Sequence, residues 1–505
     1  MNSDISRKNW TLISALVIFG GLLLLREFWF IHRTGVHGDE SLSFILSAYK
    51  PLGWTHNFLG LKELTGSELR SLIWFSNPSL SAMLVDLQKL WLDNRDTPHS
   101  NVYYSLLRIW FTGINPHGIQ NIVMGWAAQL NMLLFAVSFV FIFTLAKRIF
   151  SNWFVVAFVL IVAFASTVTV SNTIFLRPYQ LQETLLIIYV VLTYTMMSTY
   201  KPSIPFLMVY SLSTAFALLS GYFALIFVAL TMLFTLPVAI YNHRKSLIWA
   251  FSYGASYLFI TSVVAYFIYP PYLFAQGGRR NEAIRKTESL IDNLSAAVKS
   301  LHQLNDLYPV LYLLLTLAVL IACITMVRKR MFSNIEYFII YITITLVAWI
   351  LTVQFFSPYK QTLRYVAPII PLLAFPFGYL VFAILKLEKK YFSFGLMASI
   401  VYVSTFIYKN LTSHVDYQFE TRPSECAMID PGALVVTSAA WKIASISTCL
   451  NDGSRYYFTN KIKNEYLLNK DFKQVVSDAE FTDDTYQKSS KKVVGYFYIY
   501  NKKAQ

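Results

Sequence analysis

The chain reads as an α-helical polytopic membrane protein of about eleven spans, with a small extracytoplasmic α/β domain at its C-terminus. Three features point there. Of 505 residues, 56% are hydrophobic and only 14% charged, against about 25% charged in a soluble domain. Apolar runs recur from Trp10 to Tyr408, each near the ~20 residues that cross a hydrocarbon core. In lipid such runs satisfy their own backbone only as helices. Beyond Tyr408 the composition turns polar, with short β-branched and aromatic segments between turn residues.

The runs fall at 9–30, 118–146, 152–171, 179–199, 204–220, 222–242, 247–269, 307–327, 335–356, 366–386 and 391–409. The first is too long for a cleavable leader, carries Arg26-Glu27 at its far end and has no small-residue cleavage site after it. The 204–242 stretch divides at Ser220-Gly221, because it is too long for one span. Basic residues set the orientation. With Arg7 and Lys8 in the cytoplasm, the short loops there carry Lys147-Arg148, Lys201, Arg244-Lys245, Arg328-Lys329-Arg330, and Lys386 with Lys389-Lys390. The tail then lies outside. Cys426 and Cys449 share that tail, where a disulfide persists and would contribute roughly 3 kcal/mol; two free thiols are the alternative. Cys323, inside a span, reads as a packed apolar residue. The net charge of +15 is partly these loop clusters, and the remainder suits anionic lipids or phosphates. No basic helix or finger pattern suggests nucleic acid.

Three parts lie outside the membrane on this reading. The first is the loop 31–117, with Asn77-Pro78 as N-cap and first position of an amphipathic helix through Leu80, Met83, Leu84, Leu87, Leu90 and Trp91 on the membrane surface. Tyr103 to Phe111 reads as another helix. The second is the polar loop 270–306, with Arg279, Arg280, Arg285 and Lys286. The third is the tail 411–505. There 433–437, 455–459 and 493–500 read as strands, and 464–468 and 472–479 as helices, giving an α/β domain of about 90 residues.

The candidate chemistry lies where the first span ends. Gly35-Val-His-Gly-Asp-Glu-Ser-Leu places two adjacent carboxylates, Asp39 and Glu40, at the membrane exit. Three cations break the orientation trend on the same side: Arg177 in Phe-Leu-Arg-Pro-Tyr, and Lys360 and Arg364 ahead of the tenth span. Lys360 and Arg364 are four apart and would share a helix face. Acids beside outer cations are the parts needed to activate a nucleophile and hold a lipid phosphate. Headgroup anchoring by snorkelling side chains is the plainer alternative.

These residues carry a resemblance. The chain resembles the GT-C superfamily of membrane glycosyltransferases that use polyprenyl-phosphate sugars, in the branch of protein O-mannosyltransferases and the lipid A aminoarabinose transferase. The family's acidic pair after span one matches Asp39-Glu40. Its acid-x-His-Pro-Pro-Leu-Tyr-Tyr element, followed by Leu-Arg-Leu-Trp, matches Asp96-Thr-Pro-His99-Ser-Asn-Val-Tyr103-Tyr104 and Leu107-Arg108-Ile-Trp110. Here Ser100-Asn101 stands for the two prolines, and Asp96 lies three residues before His99. The family's Arg-Pro-Tyr matches Arg177-Pro178-Tyr179, and its Arg-Tyr before prolines matches Arg364-Tyr365 with Pro368 and Pro371. The likeness covers residues 9 to 390.

The resemblance implies that the transmembrane part, taken as 1–410, is a catalytic domain; the extracytoplasmic domain 411–505 follows from composition and orientation alone. It also implies Asp39 as general base. Adjacent helical residues point ~100° apart, so Glu40 is expected to do different work: orienting the loop, or binding acceptor or a metal. Asp96 and His99 are expected at the same site, with a local helix cap and a surface histidine as the alternative. No cofactor is specified beyond a divalent metal on Glu40, Asp96 or His99. Arg177, Lys360 and Arg364 are expected on the donor phosphate, with Tyr179, Tyr365, Arg279 and Arg280 as further candidates. The implied partners are a polyprenyl-phosphate sugar, an extracytoplasmic glycan, lipid or protein acceptor such as lipopolysaccharide, and membrane lipids. A flippase for lipid-linked sugars is the rival of another class, but it would show matching halves and broken helices. An O-antigen ligase or polymerase is the nearer rival, without the acidic pair.

Overall fold

The apolar lengths set the architecture. The structure, a computed structural model, describes residues 2–33, 36–50, 60–74, 77–96, 99–114, 120–199, 202–242, 246–274, 290–329, 334–356, 363–386, 389–413, 423–437, 439–462, 466 and 470–503. Among them nine segments are long and apolar enough to cross a membrane. In chain order these lie in α1 (Asn2–Ile31), α6 (Gln120–Ile149), α9 (Tyr179–Ser198), α11 (Tyr222–Asn242), α12 (Leu247–Ile268), α15 (Leu311–Lys329), α16 (Asn334–Phe356), the segment ending in α17 (Ala374–Leu385), and α18 (Lys389–Thr412). The protein is therefore a multi-pass membrane protein. A further candidate is α7 (Trp153–Phe164) with α8 (Thr167–Ile174), bent by 60°, a broken span or a re-entrant loop; the expectation of unbroken helices, set against a flippase, is therefore corrected. The eleventh expected position holds α10 (Ile204–Leu219), an apolar helix of 16 residues.

The bend between α7 and α8 has a local cause. Ser166 caps α8, its hydroxyl accepting the Thr169 N–H at 3.2 Å. Buried Arg26 of α1 donates to the Phe164 carbonyl at the end of α7 (3.0 Å) and to Thr173 of α8 (3.0 Å). It lies over the Phe135 ring at 3.7 Å. The segment before α17 opens as 3-10 turns, Leu363–Tyr365 and Ala367–Leu373, where Pro368 and Pro371 lack the N–H an α-helix needs. Arg364 sits in a 3-10 turn, and Lys360, expected on the same helix face, lies outside the described residues.

Between α1 and α6 the first loop folds as α2 (Gly38–Ser47), β1 (Lys62–Thr65), α3 (Gly66–Trp74), α4 (Leu80–Leu92) and α5 (Val102–Trp110). The N-cap of α4 is Ser79, which accepts the Ala82 N–H, and not Asn77, whose side chain accepts the Ser79 N–H one turn earlier. Met83 and Leu90 of α4 are buried, while Leu80, Leu84 and Trp91 stay exposed as the apolar face of a surface helix. The second loop is more helical than its polarity suggests, with α13 (Pro270–Phe274) and α14 (Leu290–Leu307). Arg279, Arg280, Arg285 and Lys286 lie outside the described residues, as do Lys201, Arg244, Lys245 and Arg330. Cys323 is exposed on α15, so it faces outward from the helix bundle; in an apolar solvent an outward thiol costs little.

The tail holds α19 (Pro423–Cys426), β2 (Leu434–Val436), α20 (Ala440–Ile446), β3 (Arg455–Thr459), β4 (Gln474–Ser477), β5 (Tyr486–Val493) and β6 (Phe497–Lys502). These strands and β1 form one six-stranded sheet in the order β1-β3-β2-β4-β6-β5. The first loop thus supplies an edge strand, Leu64 pairing antiparallel with Tyr456, and the tail is not a sheet closed on itself. Gly66 passes so close that a Cβ there would meet the Asn451 carbonyl at 2.4 Å. Buried Arg70 of α3 ties the same junction, donating to Ser447 (2.6 Å) and Leu450 (2.8 Å) carbonyls and pairing with Asp452. One apolar cluster runs from Phe44, Leu69 and Tyr104 to Ile443, Tyr456 and Phe497.

Two tail elements differ from expectation. The 472–479 segment is strand, because Val475 and Val476 are buried between β2 and β6 and sheet pairing overrides helical spacing. The 493–500 segment is two strands: Val494 and Gly495 take φ of 55° and 68° and turn the chain back. Of the expected helix at 464–468 only Tyr466 is described. Cys426 and Cys449, 23 residues apart, form a disulfide. Replacing both by serine is expected to cost about 3 kcal/mol, read from denaturant unfolding of the purified protein. An unchanged midpoint would contradict the stapling role.

Candidate functional site

The first turn of α2 builds the site. His37 ends the linker from α1 and caps the helix: its Nδ1 accepts the Asp39 N–H at 3.0 Å, and Glu40 accepts the His37 N–H at 2.9 Å. The two acids then diverge. Glu40 turns inward and has no exposed surface. Its Oε2 pairs with Arg33, and its Oε1 accepts the Leu176 N–H at 2.9 Å. It therefore joins the end of α1, the start of α2 and the link between α8 and α9. Asp39 turns outward, its side chain 31% exposed, and its Oδ2 accepts from Arg364 Nη1 at 3.0 Å.

Arg177 is buried under α2 and is committed to the protein. It donates to Asp96 (2.9 Å), the Tyr104 hydroxyl (2.8 Å), Ser43 Oγ and the Asp39 carbonyl (3.4 Å each). Tyr104 also donates to Asp96. Arg364 is held differently. Beyond Asp39 it donates to the Tyr365 hydroxyl at 3.0 Å, with its guanidinium 4.8 Å from that ring's centre. Burial alone would raise the Asp39 pKa; Arg177 first, then His37 and Arg364, outweigh it and hold the carboxyl below its usual range. These neighbours together keep Asp39 ionised near neutral pH.

His99 is buried, not a surface residue. Its Nδ1 lies 3.1 Å from the Ser220 carbonyl, which only accepts, so Nδ1 carries the proton. Burial pushes its pKa down to about 4, leaving a neutral ring edge-on to Tyr179 at 5.1 Å. Tyr179 in turn meets Tyr365 at 6.0 Å. A narrow cleft of about 10 Å³, the room of a single water, opens beside Arg364, lined by Ser171, Asn172, Phe175, Tyr179 and Leu363.

The structure thus gathers Asp39, Glu40, Asp96, Arg177 and Arg364 around α2, with Tyr179, Tyr365 and His99 behind them. Lys360, Arg279 and Arg280 lie outside the described residues. Asp96 pairs with Arg177, and the residue at the N-cap of α5 is Asn101, so the helix-cap alternative for Asp96 does not hold. Arg177 anchors the loop, since its guanidinium is surrounded by protein groups. Glu40, Asp96 and His99 do not gather as a cation site: Glu40 is spent on Arg33, His37 and Leu176, and Asp96 on Arg177 and Tyr104. Among the described residues no three His, Cys, Asp or Glu side chains come together as a metal site. Arg33 and Ser43 went unnoticed in sequence because each acts through a partner that is polar for its own reasons.

No protein-family model and no curated protein matches the chain. The Arg33–Glu40 pair makes the buried scaffold testable. Glu40→Ala leaves Arg33 uncompensated and is expected to cost about 3–5 kcal/mol, seen as a lower unfolding midpoint in detergent. A variant as stable as the wild type would show that Glu40 is not structural.

Proposed function

We propose that the protein is an inverting glycosyltransferase that moves a monosaccharide from a polyprenyl-phosphate donor to an extracytoplasmic acceptor. In a bacterium the donor lipid would be undecaprenyl phosphate, and lipopolysaccharide or O-antigen is the first acceptor to test. The positive-inside loops favour an inner-membrane protein with a cytoplasmic N-terminus and a periplasmic tail. One observation carries the reading: an ionised, partly exposed carboxylate, Asp39, meets the guanidinium of Arg364 where membrane helices join the outer sheet.

The chemistry follows from that pair. A sugar phosphodiester carries one negative charge and its leaving phosphate gains a second. A cation at the phosphate therefore binds the transition state more strongly than the ground state. Donor phosphate would take Arg364 from Asp39. Asp39 then loses a favourable charge, its pKa rises, and it becomes a better base only once donor is bound. The acceptor oxygen attacks the anomeric carbon as the bond to phosphate oxygen breaks. The electron pair leaves with the phosphate, the hydroxyl proton passes to Asp39, and the anomeric carbon inverts. Arg177 keeps Asp39 in place throughout.

Purified protein in nanodiscs with a labelled polyprenyl-phosphate sugar tests the assignment. Transfer to acceptor is expected, whereas movement of donor across the bilayer without transfer would identify a flippase. Asp39→Asn, nearly isosteric, is expected to lower turnover by about 10²–10⁴-fold; a variant retaining more than about a tenth of it would remove Asp39 as base. The pH profile carries a second expectation. The acid limb of kcat/KM reports free enzyme and should lie below the ordinary carboxylate value of about 3.9. The limb of kcat reports the donor complex and should lie higher. In Arg364→Ala the free-enzyme limb should move up, because burial remains while one cation is gone. Coincident limbs in both enzymes would contradict the exchange of Arg364 between carboxylate and phosphate.

A further inference from the structure

We propose that Trp441 and Tyr496 of the tail form a platform for a pyranose ring of a glycan acceptor; this rests on the glycosyltransferase reading and names the acceptor class. Trp441 lies in the first turn of α20 and Tyr496 in the turn between β5 and β6. Their rings meet edge to face, 5.2 Å apart at 89°. Both converge on the residue before Asp39. A Cβ on Gly38 would lie 2.9 Å from Tyr496 Cε2, 2.9 Å from its hydroxyl and 3.0 Å from Trp441 Cζ3. Two elements from the far end of the chain therefore press aromatic rings against the backbone that presents the carboxylate.

The contact is built, not incidental. Ser41 of α2 and Ser445 of α20 share a hydrogen bond at 3.1 Å, which fixes the two helices together. Lys442, 5.6 Å from the Trp441 ring, is pinned by Asp478 at 2.9 Å. Both rings keep part of their surface exposed, and among the described residues the Trp441 indole N–H makes no hydrogen bond.

The placement separates two substrates. Arg364 reaches Asp39 from the membrane helices, where a lipid phosphate lies. Trp441 and Tyr496 reach Gly38 from the tail, where a water-borne glycan arrives. The C–H face of a pyranose is apolar and slightly positive. It packs on the negative face of an aromatic ring, while the indole N–H and phenol hydroxyl take up sugar hydroxyls. A ring laid there sets one hydroxyl against Asp39. A peptide or lipid acceptor has no such flat polar-edged face to match.

The test uses the full chain in nanodiscs and three probes: maltotetraose, chitotetraose and a lipopolysaccharide core oligosaccharide. At least one is expected to bind saturably, with Trp441→Ala weakening Kd about tenfold or more and Trp441→Phe, which keeps a ring, staying within about threefold. Tyr496→Ala, in a turn, carries the same expectation should Trp441→Ala fail to fold. Binding of undecaprenyl-phosphate glucose, measured in parallel, should be unchanged in these variants. Equal oligosaccharide affinity in wild type and both alanine variants, or no oligosaccharide binding to wild type, would overturn the platform. Absence of donor binding to wild type would instead overturn the function above, and the oligosaccharide titrations would still decide the platform.

Discussion

The candidate site depends on a carboxylate that is buried within the protein. Glu40 is wholly buried, and a buried carboxylate is costly unless fully partnered. Arg33, the His37 N–H and the Leu176 N–H together partner it. Those three groups come from the end of the first span, the helix cap and the link before a middle span. Satisfying one charge therefore registers three parts of the chain, and only then does the next residue, Asp39, point outward at Arg364. Moving Asp39 means breaking a buried ion pair.

The arginines divide the remaining work by their surroundings. Arg177 is enclosed by Asp96, Tyr104 and the backbone of α2, so its charge acts on Asp39 as a fixed background. Arg364 stands on a short 3-10 turn, and on the proposed reading its bond to the partly exposed Asp39 is the one an incoming anion would compete for. On the proposed function, preorganised charge of the first kind would need no rearrangement during reaction, and exchangeable charge of the second kind would couple donor arrival to the basicity of Asp39.

Much of this was legible in the sequence, and the physics explains where legibility stopped. The spans follow from apolar length, which is local. Asp39, Arg177 and Arg364 stood out because charged groups at membrane ends are costly and need a reason, and Asp96 stood out only through the resemblance. The pairing of Lys62–Thr65 with Arg455–Thr459 left no local trace, since a strand's partner nearly 400 residues away is chosen by the sheet. For the same reason Gln474–Ser477 read as helix until its neighbours in the sheet were known. The division between a buried Glu40 and an outward Asp39 rests on a helical turn that the sequence implied, but its direction came from Arg33 and Leu176.

The account stands or falls on where a donor phosphate sits. A structure with a non-hydrolysable sugar phosphonate on an undecaprenyl chain measures this directly. The account predicts phosphonate oxygens about 2.7–2.9 Å from the Arg364 guanidinium, the Arg364–Asp39 bond opened, and Asp39 on the opposite face of the anomeric carbon. A phosphonate bound elsewhere, with Arg364 still paired to Asp39, would contradict it.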